Sequence, residues 1–169
     1  MRLWSARPRW ALDALIVAAI VGLGSLRGPD DVEQVTSWLF TVALALPLLW
    51  RRRAPVAVSG VISALACLQW ALDVRAFGDS ALLVALYTVA ATQPLRTTLG
   101  AAAVLEIGIG LAVARWAGRG HPLDAFVALS GLATAAGVLG VNVRHRQALL
   151  ASLRERAARP RSDASSAWR

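Results

Sequence analysis

The chain has 169 residues, 57% hydrophobic and only 17% charged, and its 18 basic residues against 10 acidic ones give a net charge of +8. A soluble domain is nearer half apolar with about a quarter of its residues charged. Here the charges are bunched, and the stretches between them approach the roughly 20 residues that span a bilayer. That excludes an ordinary water-soluble core. All the basic residues are arginines at or near the ends of apolar segments, which argues for membrane topology and against nucleic acid as a partner.

In chain order, Arg2, Arg7 and Arg9 precede an apolar run, as in a signal peptide. Gly22–Leu26 is then followed by Arg27, an acidic loop and further apolar runs, which predicts an anchor that is retained. Six spans are predicted: Trp10–Leu26, Val35–Trp50, Val56–Leu72, Phe77–Gln93, Thr97–Ala114 and Leu123–Val143. They must be helices, because a backbone in hydrocarbon has to satisfy its own N–H and C=O groups. The fold class is therefore all-α, a polytopic membrane helix bundle.

The linkers orient it. If the spans alternate, one side holds Arg2, Arg7, Arg9, Arg51, Arg52, Arg53, Arg96 and the seven arginines from Arg144 onward, 14 of the 18. The other side receives Asp30, Asp31, Glu33, Asp73, Asp79 and Asp124, with only Arg27, Arg75, Arg115 and Arg119. The positive-inside rule then puts both termini in the cytoplasm of a multi-pass plasma (inner) membrane protein. The weakest span is Phe77–Gln93; if it did not cross, the arginine-rich C-terminus would lie outside, which the same rule disfavours. Trp10, Trp38, Trp50, Trp70 and Trp116 fall near predicted span ends, at headgroup level.

Beyond the transmembrane domain, residues 1–143, the character changes. Residues 144–159 form a short basic juxtamembrane helix, with Val143, Leu150, Leu153 and Ala157 at a/d-like spacing over about two heptads, short of a convincing coiled coil. Pro160 ends it. Residues 160–169 are Ser- and Ala-rich and are expected to be disordered. The anionic cytoplasmic leaflet is the expected partner of the basic tail.

Glu106 is the most interesting single residue, because a carboxyl near the middle of a span is costly and usually faces the bundle interior. It reads as a proton or cation site or as a polar latch between helices, against a protonated, packed side chain with no role. Asp13 lies four residues after Arg9 on one helix face, which predicts a local ion pair. His121 and His145 have no ligand at metal spacing and read as solvated. Cys67 reads as a small buried hydrophobe. Ala133/Gly137 and Ala136/Gly140 offer small-xxx-small surfaces for close helix packing. No Ser-His-Asp arrangement, catalytic carboxylate pair, phosphate loop or zinc spacing occurs. No catalytic, cofactor-binding or metal residue is therefore assigned.

Three stretches together carry a resemblance: Leu44–Pro55 (LALPLLWRRRAP), Ala81–Ala91 (ALLVALYTVAA), and Gly140–Arg146 (GVNVRHR) running into Leu153–Arg159 (LRERAAR). Over roughly residues 10–159 the chain resembles the N-terminal membrane domain of bacterial two-component sensor histidine kinases whose catalytic half is similar to that of the nitrate/nitrite-responsive kinases. The resemblance implies a membrane-embedded input and anchor domain in signal transduction. It also implies that Arg144, Leu150, Leu153 and Ala157 begin a signalling linker, and that a second copy of the chain is a partner.

In that family a phosphoacceptor His is followed by an acidic residue, whereas here His121 is followed by Pro and His145 by Arg. The sequence also lacks the family's ATP-binding Asn box and Gly-rich lid, so no catalytic residue carries over, and a response regulator would be a partner only if a kinase core were present. The expectation is a membrane half truncated or frameshifted after Arg159. The competing readings are a stand-alone small transporter or channel built around Glu106, or a membrane scaffold.

Overall fold

A computed structural model describes residues 9–25, 32–75, 77–116 and 121–158, and everything described is helix or turn. The elements are α1 (Arg9–Ser25), α2 (Val32–Ala45), α3 (Pro55–Ala71), α4 (Ser80–Thr92), α5 (Leu95–Trp116) and α6 (Pro122–Ala158). Two 3₁₀ segments, Leu46–Trp50 and Phe77–Asp79, prolong α2 and precede α4. The first five helices follow the expected spans to within a few residues, and α6 begins as expected but runs past Val143 to Ala158.

Prolines punctuate the chain. Pro47 has no N–H to give the carbonyl four residues back, and α2 tightens there into a 3₁₀ turn. Pro55 and Pro122 occupy the first position of α3 and α6, where the missing N–H costs nothing. Gln93, before Pro94, is extended (φ −109, ψ 160), as the residue preceding a proline is pushed to be, and this separates α4 from α5.

Two helices, α5 and the Pro122–Glu155 stretch of α6, are long and apolar enough to cross a membrane. The apolar runs of the other four are shorter. At 1.5 Å per residue, α1 and α3 (17 residues each) are about 25 Å long. The 3₁₀ segments, at about 2 Å per residue, bring α2 to about 31 Å and α4 to about 25 Å.

The most buried helix is α4. One side of it, through Ala81 and Ala85, meets Ile20 of α1, Leu44 and Ala45 of α2, Leu48, and Val58 and Ile62 of α3. Leu86, on its other side, packs with Leu105 and Ile109 of α5 and Ala133 of α6. Gly140 sets the approach of α6 to α4, since a Cβ there would lie 2.6 Å from the Ala90 Cβ and the Tyr87 carbonyl oxygen. Of the small residues on α6, Ala133 and Gly140 are thus used inside the chain, while Gly131 and Gly137 face open space. Gly78 wedges against α2 in the same way, since a Cβ there would lie 2.9 Å from the Thr41 Cα and 3.1 Å from the Leu44 Cβ.

The outer surfaces of α5 and α6 are apolar. Ile107 is 65% exposed, Val127 66% and Leu123 75%. Cys67 is also exposed, contrary to its expected burial, because α3 turns its Val58–Ile62 side inward instead. Buried hydroxyls satisfy themselves locally: Thr41, Thr88 and Thr98 donate to the carbonyls four residues back.

Candidate functional site

The polar contacts between elements fall into three zones along the helix axes. On α5 the scale runs from Arg96 to Arg115, about 28 Å at 1.5 Å per residue, with Glu106 near the midpoint.

The first zone gathers the residues around Arg51 and Arg96. Asp13 of α1 is only 3% exposed and accepts from two guanidinium groups at once. Arg51 donates through Nε (3.0 Å) and Nη2 (2.6 Å) to Oδ1, and Arg52 through Nε (2.5 Å) to Oδ2 and Nη2 (3.3 Å) to Oδ1. These partners come in addition to the expected Arg9–Asp13 pair, which lies outside the described residues. They are 38 and 39 residues away, brought in because the 3₁₀ turn after α2 delivers the arginine triplet onto α1. Arg51 is buried too, so the pair ties α1 to the end of α2 where water is scarce. At the same end, Arg144 of α6 donates from Nη1 to the Gln93 carbonyl in the turn between α4 and α5.

The opposite zone holds Asp73, Trp70, Arg115 and Trp116. Asp73 adopts φ 59, a left-handed conformation that suits a tight helix exit. Its carboxylate accepts from Trp116 Nε1 (2.8 Å) and Arg115 Nε (3.0 Å). Those two donors, the indole first, hold the Asp73 carboxyl below the usual carboxylate range. Arg115 also lies 5.0 Å from the Trp70 ring centroid, and Trp70 donates to the Leu111 carbonyl at 3.2 Å. Nearby, Ser37 bonds the Arg75 carbonyl, and buried Gln69 donates to both oxygens of Asp79 (3.1 and 3.2 Å). The sequence places these tryptophans at an interface but gives no sign that Asp73, 43 residues from Trp116, is their anchor.

Between the two zones, one polar tie joins neighbouring helices among the described residues: Ser130 of α6 donates to Glu106 Oε2 at 2.6 Å. That bond joins α5 and α6 at mid-height. His121 and His145 are exposed, and the His121 carbonyl accepts the Asp124 N–H in the first turn of α6. No group of three His, Cys, Asp or Glu that could hold a metal occurs among the described residues.

The expected linker residues all lie on α6, which runs for 37 residues without interruption through the Val143–Arg144 boundary. Arg144 is half-buried against the α4–α5 turn, whereas Leu150 and Leu153 are more than half exposed. Ala157 is helical, with its side chain outside the described set, as are Arg159 and residues 160–169. The expected disorder of that tail therefore lies outside the described residues.

No curated protein and no solved structure matches the chain. A family described as a domain of unknown function, DUF7134, matches residues 1–147, which takes in α1 to α5 and two-thirds of α6. With most of its length inside that match, the chain belongs to the DUF7134 family.

Proposed function

We infer that the chain is a membrane-embedded input and anchor domain for two-component signalling, of the kind found in sensor histidine kinases, with no catalysis of its own. The observation that carries this reading is α6. One helix leaves a packed apolar bundle and continues, about 55 Å in all, into a basic segment that is largely exposed past Arg144. A helix of that kind passes rotation or translation from the bundle to whatever follows it.

The membrane half of the proposal is six helices crossing with both termini in the cytoplasm of a plasma membrane. Three features support it. Large apolar side chains cover α5 and α6 outwardly, Leu99, Val104 and Ile107 on the one and Leu123, Val127, Leu132 and Leu139 on the other. Polar contacts between helices collect mainly toward the two ends of the bundle, and Arg96 and Arg115, which mark those ends on α5, are about 28 Å apart, close to the roughly 30 Å of a hydrocarbon core. The 3₁₀ segments lengthen α2 and α4 toward that span, and the few Å still lacking are within what local thinning absorbs. The arginine-rich zone is assigned to the cytoplasm.

The test joins residues 1–158 to a heterologous histidine kinase core and inserts one, two, three or four alanines after Val143. Each insertion turns the distal part of α6 by about 100°. Autophosphorylation is expected to swing with helical period, recovering near four insertions. Output that ignores the insertions sinks the input role. Flux of protons in proteoliposomes, abolished by Glu106→Gln, would instead move the chain to the transporter class.

A further inference from the structure

A groove of about 410 Å³ lies between α3 and α5, and nothing in the reading above uses it. It follows α3 from Val56 to Ser63 and α5 from Thr97 to Val104, about 10 Å along each, and Val89 of α4 forms its floor. It exists because the facing side chains are small. At Gly60 and Gly100 an added Cβ would meet nothing within 4 Å. Further along, Trp70 reaches across to the Leu111 carbonyl and closes the gap between the same two helices.

The open end coincides with unspent positive charge. Arg96 immediately precedes Thr97, and Arg53 lies three residues before Val56. Both are exposed, and neither guanidinium has a hydrogen-bond or ion-pair partner among the described residues. Their neighbours Arg51 and Arg52, by contrast, are engaged by Asp13. The helices α3 and α5 also both begin here, so their dipoles add positive potential at this end. An apolar trench about 10 Å long, with two guanidinium groups unpaired among the described residues near its mouth, is complementary to one amphiphile: an acyl chain bearing an anionic head.

We propose that this groove is a binding site for an anionic phospholipid of the cytoplasmic leaflet, its acyl chain lying on Val89 between Gly60 and Gly100 and its phosphate held by Arg53 and Arg96. The site rests on the membrane reading given above. Lipid bound there bridges the start of α3 to the start of α5, next to the turn that Arg144 of α6 also grips, so its head-group charge is coupled to the helix that leaves the bundle.

The experiment uses the full chain, carbonate-washed in membranes, solubilised in mild detergent and examined by native mass spectrometry with dioleoylphosphatidylglycerol against dioleoylphosphatidylcholine. The wild type is expected to retain the glycerol lipid at least about tenfold better, as two guanidinium contacts allow. Arg53→Gln with Arg96→Gln is expected to erase the preference. Gly60→Leu with Gly100→Leu, which fills open space, is expected to lose both lipids while keeping the wild-type melting temperature. Equal retention of the two lipids by the wild type, or full retention by the filled variant, overturns the site. If the filled variant does not fold, the arginine pair alone decides. Extraction of the protein by carbonate would end the membrane reading and the site together, whereas an integral protein without lipid preference ends only the site.

Discussion

Asp13 is the residue on which most charge converges. Removing one member of a buried pair leaves the other charged and unpaired, at a cost of about 3 kcal/mol or more. Asp13→Asn is therefore expected to lower the unfolding free energy by about 3 kcal/mol in detergent titration, and Arg51→Gln by a similar amount. The double variant should recover part of the loss, a coupling that a double-mutant cycle measures; strict additivity would contradict the pairing. Glu106 makes a different prediction. Glu106→Gln keeps an oxygen for the Ser130 hydroxyl and should be nearly neutral, whereas Glu106→Ala strands that hydroxyl and should cost about 1 kcal/mol. Equal losses in the two variants would dissolve the latch. Both residues stand out in the sequence as carboxyls in apolar runs, but their partners do not. An i, i+4 spacing points Asp13 to Arg9 because local geometry is all a sequence displays. The contacts to Arg51 and Arg52 need the 3₁₀ turn after α2, whose trigger, Pro47, is legible while its direction is not.

Among the elements, α4 inverts its standing. Its sequence is the least convincing span, bounded by Asp79 and Gln93, yet it is the helix around which the others pack. The two facts have one cause. A helix surrounded by protein needs small, closely fitting residues, and a central helix held on all sides can be short, here 13 residues of α-helix. Its closest neighbour is α6, at Gly140, where any side chain would strike the backbone of Tyr87. Gly140→Val is expected to cost about 2 kcal/mol or more in thermal denaturation, while Gly137→Val, which meets open space, should stay within about 0.5 kcal/mol. A reversed order would mean that α6 docks on another face. Helix existence and ends were readable because four prolines mark the breaks. Which glycine of a repeated small-residue pattern touches a neighbour was not, since Gly137 and Gly140 look alike until the rotation of α6 is known.

At the level of the whole molecule, apolar side chains face outward at mid-height and polar ties sit toward either end, the reverse of a chain dissolved in water. Ile107, beside Glu106 at the centre of α5, is the sharpest probe of this arrangement. In a Cys67→Ala background, Ile107→Cys is expected to resist a membrane-impermeant maleimide in intact membranes and to react within minutes once denatured in SDS. Prompt labelling in the membrane would mean that this face meets water. Beyond the bundle, α6 carries on past Arg144 to Ala158, about 21 Å at 1.5 Å per residue. Lipid charge is screened over about 8 Å at physiological ionic strength. If α6 stands upright, a group attached beyond Ala158 lies more than two screening lengths from the leaflet. The helix is then a standoff: it gives its first turns to the acidic surface and leaves its far end electrically quiet, where a docking partner would be chosen by its own contacts and not by the composition of the lipid beneath it.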